Sequence, residues 1–373
     1  MKTGKGFLSV FLALVFVAPV EYRVWAAPGQ AATAAPKIGQ SSLAPALTLD
    51  VVVAGKSGEP VSGLQPGDFK LFDNKQPQEL VSVAAAGGMN AKADPPVEII
   101  LLIDDINASE LTIHDELNWL HKYLDQASGG QLALPISFAI LTDHGIVSQD
   151  HPCRDAKALG RYLDNNRIGF RALRNSAGMW GVMEREESSI KALDFLADKA
   201  NKQPGRKLLI WISPGWHGIS DAGRIPSRKD QQDTFDMIVD TSARLQRARL
   251  TLDTINPTSN IVDPFYRTFL KGPPDPKHSD YGNLMLQVLA TQSGGQVMAG
   301  NIELPALIDR CLADASAYYV LTFNPPPAAH PDEYHELSVE VAKPGLKART
   351  RTGYYAQPAS AVSSSGDRQK LSQ

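Results

Sequence analysis

The chain has 373 residues, 43% of them hydrophobic and 21% charged, a composition typical of a globular protein longer than one ordinary domain. Its net charge of −3 argues against nucleic acid or an anionic membrane as a partner. The sequence contains no GxSxG elbow, HExxH, P-loop or GxGxxG motif, so the common signatures of hydrolases and nucleotide-binding enzymes are absent from it.

The first 26 residues have the pattern of a secretory signal peptide. Lys2 and Lys5 precede an apolar run over 7–20, and small residues surround Ala26, after which we expect cleavage. The run is too short to span a bilayer, so no stable transmembrane span is expected and the mature chain should be secreted or periplasmic. Cleavage removes three cations and one anion, which changes the net charge from −3 to −5. Residues 27–44 are rich in Ala, Pro, Gly, Gln and Ser and are expected to form a disordered linker.

Residues 45–84 predict a small β unit. Alternating apolar residues from Leu47 to Val53 indicate a strand, and a hairpin is expected from 69–72, the turn 73–75 and 80–83. The unit is too short to bury a core alone, so it should pair with a C-terminal β unit over 318–356. Residues 85–96 read as a linker, and the Ser-rich residues 357–373 as a disordered tail.

Strands and helices alternate over residues 97–317. The run from Val97 to Ile103 is apolar and β-branched, which is typical of a strand buried on both faces. We predict an α/β fold with a doubly wound, mainly parallel six-strand sheet, joined to a small β-sandwich-like domain built from both flanks. The predicted strands are 97–103, 134–141, 145–148, 207–213, 250–255 and 296–299, and the predicted helices are 110–126, 155–163, 188–202, 229–248, 283–292 and 304–317.

The buried strand ends in Asp104 and Asp105, and the spacing Asp105-x-Asn107-x-Ser109 follows. This spacing resembles the D-x-S-x-S signature of von Willebrand factor type A (VWA) domains, with Asn in place of the first Ser. The resemblance implies that these three residues supply oxygen ligands to a divalent cation, the donor type that hard cations prefer. Helix capping is the alternative, because Asn107 and Ser109 are good N-caps and Asn107 with Glu110 makes a capping-box-like pair.

The resemblance extends over about residues 45–356. The run from Gly63 to Gln78, the turn Ser213-Pro-Gly-Trp216, the strand "AYYVLTF" and the closing "RTRTGYYA" are similar to bacterial VWA-related proteins of the acidobacterial type. That family is defined by sequence, and the resemblance implies a fold more than an activity.

Two ligand positions of metal-binding VWA domains are changed. Pro214 stands where the family has an Asp, and only Ser176 in the loop 170–180 is available in place of a Thr. The site is therefore expected to be degenerate, binding Mg, Ca or Mn weakly if at all. Ser213, Trp216 and His217 are expected to line the same rim, with Trp180 in the loop above it.

Three functions are open at this stage. The first is a non-enzymatic binding or adhesion module with a protein partner in the bacterial envelope or extracellular space. The second is a structural component of an envelope assembly that contacts its partners through the β unit. The third is a hydrolase using Asp104, Asp105 and His217, for which the sequence offers two adjacent carboxylates on opposite faces of a strand rather than an acid–base pair. Cys311 is expected to be a buried thiol, and pairing with Cys153 is left open.

Overall fold

The structure, a computed structural model, describes residues 46–87, 97–166, 178–216, 226–259, 261–300 and 303–358. Outside these ranges lie the predicted signal peptide and the predicted disordered linker 27–44. The predicted tail 357–373, apart from its first two residues, and most of the predicted linker 85–96 also lie outside them. None of the described helices is both long enough and apolar enough to cross a membrane.

Fifteen strands are described. They are β1 (Leu47–Ala54), β2 (Phe69–Asp73), β3 (Gln76–Gln78), β4 (Leu80–Gly87), β5 (Glu98–Asp104), β6 (Gln131–Thr142), β7 (Gly145–Ser148), β8 (Cys153–Asp155), β9 (Lys207–Ile212), β10 (Leu250–Asn256), β11 (Val297–Ala299), β12 (Ala317–Phe323), β13 (Glu333–Val341), β14 (Lys347–Arg349) and β15 (Gly353–Ala356).

Six α-helices connect or flank the strands: α1 (Glu110–Asp125), α2 (Ala156–Asn165), α3 (Gly178–Ala200), α4 (Arg228–Arg247), α5 (Leu286–Gln292) and α6 (Leu304–Ala313). A short 3₁₀ helix, Tyr281–Leu284, precedes α5. Three of the predicted helix boundaries are wrong: α3 begins ten residues before the predicted start, α6 ends four residues early, and the predicted helix 283–292 is divided between the 3₁₀ helix and α5.

The central sheet is mainly parallel and has the order β11-β10-β9-β5-β6-β7, with β8 also paired to β6. It has seven strands rather than the predicted six, because the short segment β8 returns antiparallel along β6. The apolar residues of β5 alternate between two cores: Ile99, Leu101 and Ile103 face α1, α2 and α6, while Ile100 and Leu102 face α3, α4 and α5. Both faces of β5 are therefore buried, which explains its unbroken apolar sequence.

The flanking segments form two antiparallel sheets of four strands each. Their orders are β14-β1-β12-β4 and β15-β13-β2-β3, so each sheet combines strands from both ends of the chain. Leu49 and Val51 of one sheet share a core with Phe69, Leu71 and Leu337 of the other. This shared core explains why strands so distant in the sequence occur together, since neither end supplies enough apolar surface alone.

Three predictions within the flanks are wrong in detail. The hairpin partner of β2 is β3 across the turn at Asn74 and Lys75, whereas Leu80–Gly87 pairs with β12 in the other sheet. Residues 85–87, predicted as linker, belong to that strand. The predicted strand 348–355 is divided into β14 and β15, which lie in different sheets.

The break between β14 and β15 packs on the central α/β unit. Thr352 N donates to the carbonyl of Gln292, and Gly294 approaches so closely that a Cβ there would lie 2.6 Å from the carbonyl carbon of Thr350. Gly294 has φ 89°, so it follows α5 in the left-handed conformation that glycine commonly adopts at the end of a helix. Both cysteines are free thiols, and Cys311 is buried as predicted.

Candidate functional site

The candidate site lies where β5 and β9 end. The order of the central sheet diverges on either side of this neighbouring pair, which is the switch point at which open α/β sheets bind ligands. Asp104 at the end of β5 and Ser213 just after β9 meet across this point, with Ser213 Oγ donating to Asp104 Oδ2 at 2.8 Å. The first- and fourth-strand loops that the sequence analysis singled out are therefore adjacent.

The Asp104 carboxylate is the centre of a buried polar network. Besides Ser213, it accepts hydrogen bonds from Trp211 Nε1 at 3.0 Å, Asn107 Nδ2 at 2.9 Å and the backbone N of Asn107 at 3.1 Å. The side chain is 0% exposed. Burial raises its pKa, and the hydrogen bonds from Asn107, Trp211 and Ser213 oppose that rise. The carboxyl group is held by hydrogen-bond donors of the protein.

The three predicted metal ligands have separate roles here. Asn107 Nδ2 donates to Asp104 and also to Ser189 Oγ of α3 at 2.9 Å. Ser109 is the N-cap of α1 and accepts from Thr112 N at 3.1 Å, so capping is correct for Ser109, whereas the pair of Asn107 with Glu110 is not the cap. Asp105 is buried, and its backbone N donates to Leu141 O.

In this arrangement two of the three predicted ligands, Asn107 and Ser109, are used for contacts within the protein. Asn107 directs its amide nitrogen, a donor that cannot ligate a cation, at Asp104 and Ser189. The Ser109 oxygen already caps a helix. Within the described ranges, no group of three or more His, Cys, Asp or Glu side chains is arranged to hold a metal ion.

We therefore expect added cation to leave the stability unchanged. A site with a dissociation constant of about 1 mM would gain about 1.4 kcal/mol from about 10 mM cation, and the melting temperature would rise by roughly 2–4 °C. Scanning calorimetry with magnesium, calcium or manganese should show a shift below about 1 °C. A shift of 2–4 °C that disappears in Asp105→Ala would restore the metal interpretation.

Trp216 corrects a prediction. It was expected to line the rim as a binding residue, but it is 3% exposed and packs edge-on against Trp211, with ring centroids 5.0 Å apart. Its Nε1 donates to Leu284 O at 2.8 Å. A buried indole offers no surface to a partner, so Trp216 is a packing residue. His217 lies outside the described residues.

Glu116 of α1 is a site residue that the sequence analysis missed. It is 1% exposed, and neither carboxyl oxygen has a hydrogen-bond partner among the described residues. Burial, with the nearby charges of Asp104 and Asp105, raises its pKa well above the usual range. The sequence held a signal, because Glu116 shares the buried stripe of Ile113 and Leu120 at helical spacing.

Replacing Glu116 with glutamine should stabilise the protein at neutral pH. A carboxyl whose pKa is higher in the folded than in the unfolded state binds more protons when folded, so its contribution to stability falls as pH rises above the unfolded pKa. We expect Glu116→Gln to be about 1–3 kcal/mol more stable than the natural chain at a pH of about 7.5 and equal to it near pH 4. Urea unfolding across this range is the measurement, with the exposed Glu110→Gln as control. A difference that stays constant with pH would contradict the assignment.

A groove opens one layer away from this network, and we call it the α3–α4 groove. Its volume is about 320 Å³, and its lining comes from α3, α4 and the 3₁₀ helix: Met183, Glu186, Glu187, Ile190, Lys191, Asp194, Met237, Tyr281 and Leu284. Ile190 and Leu284 are buried members of the core, and Met237 and Tyr281 pack against it. The floor is apolar and the edges are charged, which is the usual character of a binding pocket of this size.

The outer face of α3 beside the groove carries large apolar side chains. Trp180 is 80% exposed, Met183 44% and Phe195 49%. Helical spacing places all three on one side of α3, together with Glu187 and Lys191. We call this surface the α3 face. The sequence analysis expected Trp180 near the rim but placed it in a loop, so the helical face was not recognised.

The Asp104 network is linked to both walls of the groove. Through Asn107 it reaches Ser189 on α3, and through Trp211 and its neighbour Trp216 it reaches Leu284 of the 3₁₀ helix. The network therefore supports the walls of the groove from inside the fold. Its polar groups are used for these internal contacts rather than for a ligand.

Comparisons with known proteins assign no family. No family model matches the chain, and no curated protein matches it. A solved structure that matches is the crystal structure of manganese-loaded Plasmodium vivax TRAP protein, with 11% identity and a TM-score of 0.32, covering 73% of this chain and 96% of that one. A TM-score this low is too weak to transfer a property to this chain.

Proposed function

We propose that this chain is an exported, non-enzymatic binding module of the VWA type, which binds a protein partner through the α3 face. The observation that carries the proposal is the exposure of Trp180, Met183 and Phe195 on one side of a single helix, beside an apolar groove. Trp180 and Met183 are one helical turn apart, and exposed apolar surface beside a groove marks interaction sites on folded proteins. Tryptophan in particular is enriched among the residues that dominate binding energy.

The state of Asp104 supports a binding role over a hydrolase. A general acid or base must come within hydrogen-bond reach of the group it serves. Asp104 is fully buried, and its oxygens accept from Ser213, Trp211 and Asn107. The carboxylate thus acts as a structural acceptor.

Export rests on the N-terminal pattern of the sequence. Lys2 and Lys5, the apolar run and the small residues before Ala27 support cleavage and a secreted or periplasmic location. The protein partner is accordingly placed in the envelope or the extracellular space.

The flanking sheets favour a second candidate, a structural role in an envelope assembly. A groove of about 460 Å³ lies between β2, β3 and β4, and its lining includes Phe69, Leu71, Pro77, Leu80 and Val81. Strands β3 and β4 are at the ends of their sheets, and Val81 is exposed. An open strand edge beside an apolar groove can accept a strand from another protein.

Site-directed photo-crosslinking in the producing cells tests the two candidates together. A photoreactive amino acid would replace Trp180 on the α3 face, Val81 on the flanking sheet, or Leu111, an exposed apolar residue of α1 that serves as control. We expect a protein adduct from position 180 and none from position 111. An adduct from position 81 with none from position 180 would overturn the proposal and favour the structural role.

A further inference from the structure

The charges around the α3–α4 groove are unbalanced. Four carboxylates, Glu187, Asp194, Asp198 and Asp240, surround two cations, Lys191 and Arg244. Glu186 also lines the groove and is left out of this count together with the group it interacts with. Among the described residues counted here, the groove and its surroundings carry an excess of two negative charges over an apolar floor.

Both cations already form ion pairs with carboxylates of this set. Lys191 Nζ lies 2.5 Å from Glu187 Oε1, and Arg244 pairs with Asp198. Asp194 has weaker compensation of its negative charge. Arg244 Nε is 3.8 Å from its Oδ2, and Thr241 Oγ1 donates to its Oδ1 at 3.2 Å. Burial raises the pKa of Asp194, and the charge of Arg244 and the hydrogen bond from Thr241 oppose that rise. An incoming cation at the groove would find an under-compensated carboxylate there.

We propose that the occupant of the α3–α4 groove is a basic amphipathic helix of the partner, with aliphatic side chains on the floor and Arg or Lys against Glu187, Asp194 and Asp240. This rests on the proposed function and names the chemistry of the partner. The apolar floor takes the hydrophobic face of such a helix, as helix-in-groove recognition requires. The charge excess selects a cationic segment over an acidic one, because like charges across an interface cost several kcal/mol.

The test uses the mature chain and two synthetic peptides. One is an amphipathic Leu/Arg peptide of about 14 residues, a length that forms three to four helical turns. The other replaces every Arg with Glu. We expect the basic peptide to bind in calorimetry, more weakly as salt is raised, and the acidic one to show no binding.

Matched variants place the binding in the groove. Met183→Ser and the double variant Glu187→Gln/Asp240→Asn alter exposed side chains and should each weaken binding roughly tenfold. Their controls on other surfaces are Leu111→Ser and the double variant Glu59→Gln/Glu110→Gln, which changes the net charge of the chain by the same amount. Binding to the controls should stay within about twofold of the natural chain.

Several outcomes would overturn the basic partner. These are no binding of the basic peptide, equal binding of the acidic peptide, or equal binding to the groove and control variants. Dimerisation in sedimentation experiments that Met183→Ser abolishes would assign the groove to a second copy of this chain instead. Crosslinks from position 180 without peptide binding would reject the basic helix and leave the proposed function standing, whereas loss of both would reject both.

Discussion

Replacing Asp104 with alanine should lower the free energy of unfolding by about 3 kcal/mol. The carboxylate accepts hydrogen bonds from the indole N–H of Trp211 and from Ser213 Oγ, and both of these residues are buried. Alanine leaves these buried donors without their acceptor, and each such donor costs about 1–3 kcal/mol. Relief from burying the carboxylate charge offsets part of this loss.

The conservative variant Asp104→Asn keeps the shape of the side chain but removes one of its two acceptor oxygens. Asparagine keeps one acceptor oxygen but places an NH₂ donor against Trp211 and Ser213 or against Asn107, so about half of the loss should remain. Urea unfolding of the full mature chain is the measurement. Asp115→Ala, an exposed carboxylate on α1, should change stability by less than about 0.5 kcal/mol. An Asp104→Ala protein as stable as the natural chain would show that the network contributes nothing.

Part of the Asp104 network can be predicted from the sequence. The apolar run of β5 and its abrupt end in Asp104 are visible in the sequence, because the interior of a strand buried on both faces is uncharged. The position of Ser213 at the end of β9 follows from the same logic, since the carboxyl ends of parallel strands share one edge. That Asp104 and not Asp105 is the centre follows only from side-chain direction, since the even-numbered residues of β5 face α3.

Other features depend on tertiary contacts, which cannot be predicted from the local sequence pattern. Trp216 follows a strand and a Pro-Gly turn, which predicts exposure, but Trp211 five residues earlier offers a ring to pack against. The segment 348–355 alternates like one strand, yet Gly294 and Gln292 of a distant helix hold its centre and direct its halves into two sheets. In both cases the partner lies across the fold, so tertiary packing decides the outcome.

The contacts between the flanking sheets and the central α/β unit include one such distant contact. Arg349 of β14 places Nη2 2.5 Å from Asp314 Oδ2 and donates from Nη1 to Gly294 O at 2.9 Å. Asp314 is almost fully buried at the end of α6. The neighbouring carboxyl of Asp253 has its pKa raised to about 6 by burial and by the charge of Asp314, with Arg349 opposing the rise. Arg349 is thus the cation beside two buried acids.

Replacing Arg349 with methionine should therefore destabilise the chain by about 3–5 kcal/mol at a pH of about 8, because a buried carboxylate loses its charged partner. The pKa of Asp253 is already higher in the folded than in the unfolded state, and without Arg349 it should rise further. The folded state then binds more protons, so stability falls as pH rises, and the loss should shrink by at least about 1 kcal/mol at pH 5. Urea unfolding at both values is the measurement.

Two further variants identify the cause of that loss. Lys347→Met removes an exposed cation from the same strand and should change stability by less than about 0.5 kcal/mol at either pH. The double variant Arg349→Met/Asp314→Asn removes the stranded charge as well and should recover part of the stability of the single variant at pH 8. If the double variant is as unstable as Arg349→Met and the loss is the same at both pH values, the contact is held by packing of the Arg349 stem rather than by its charge.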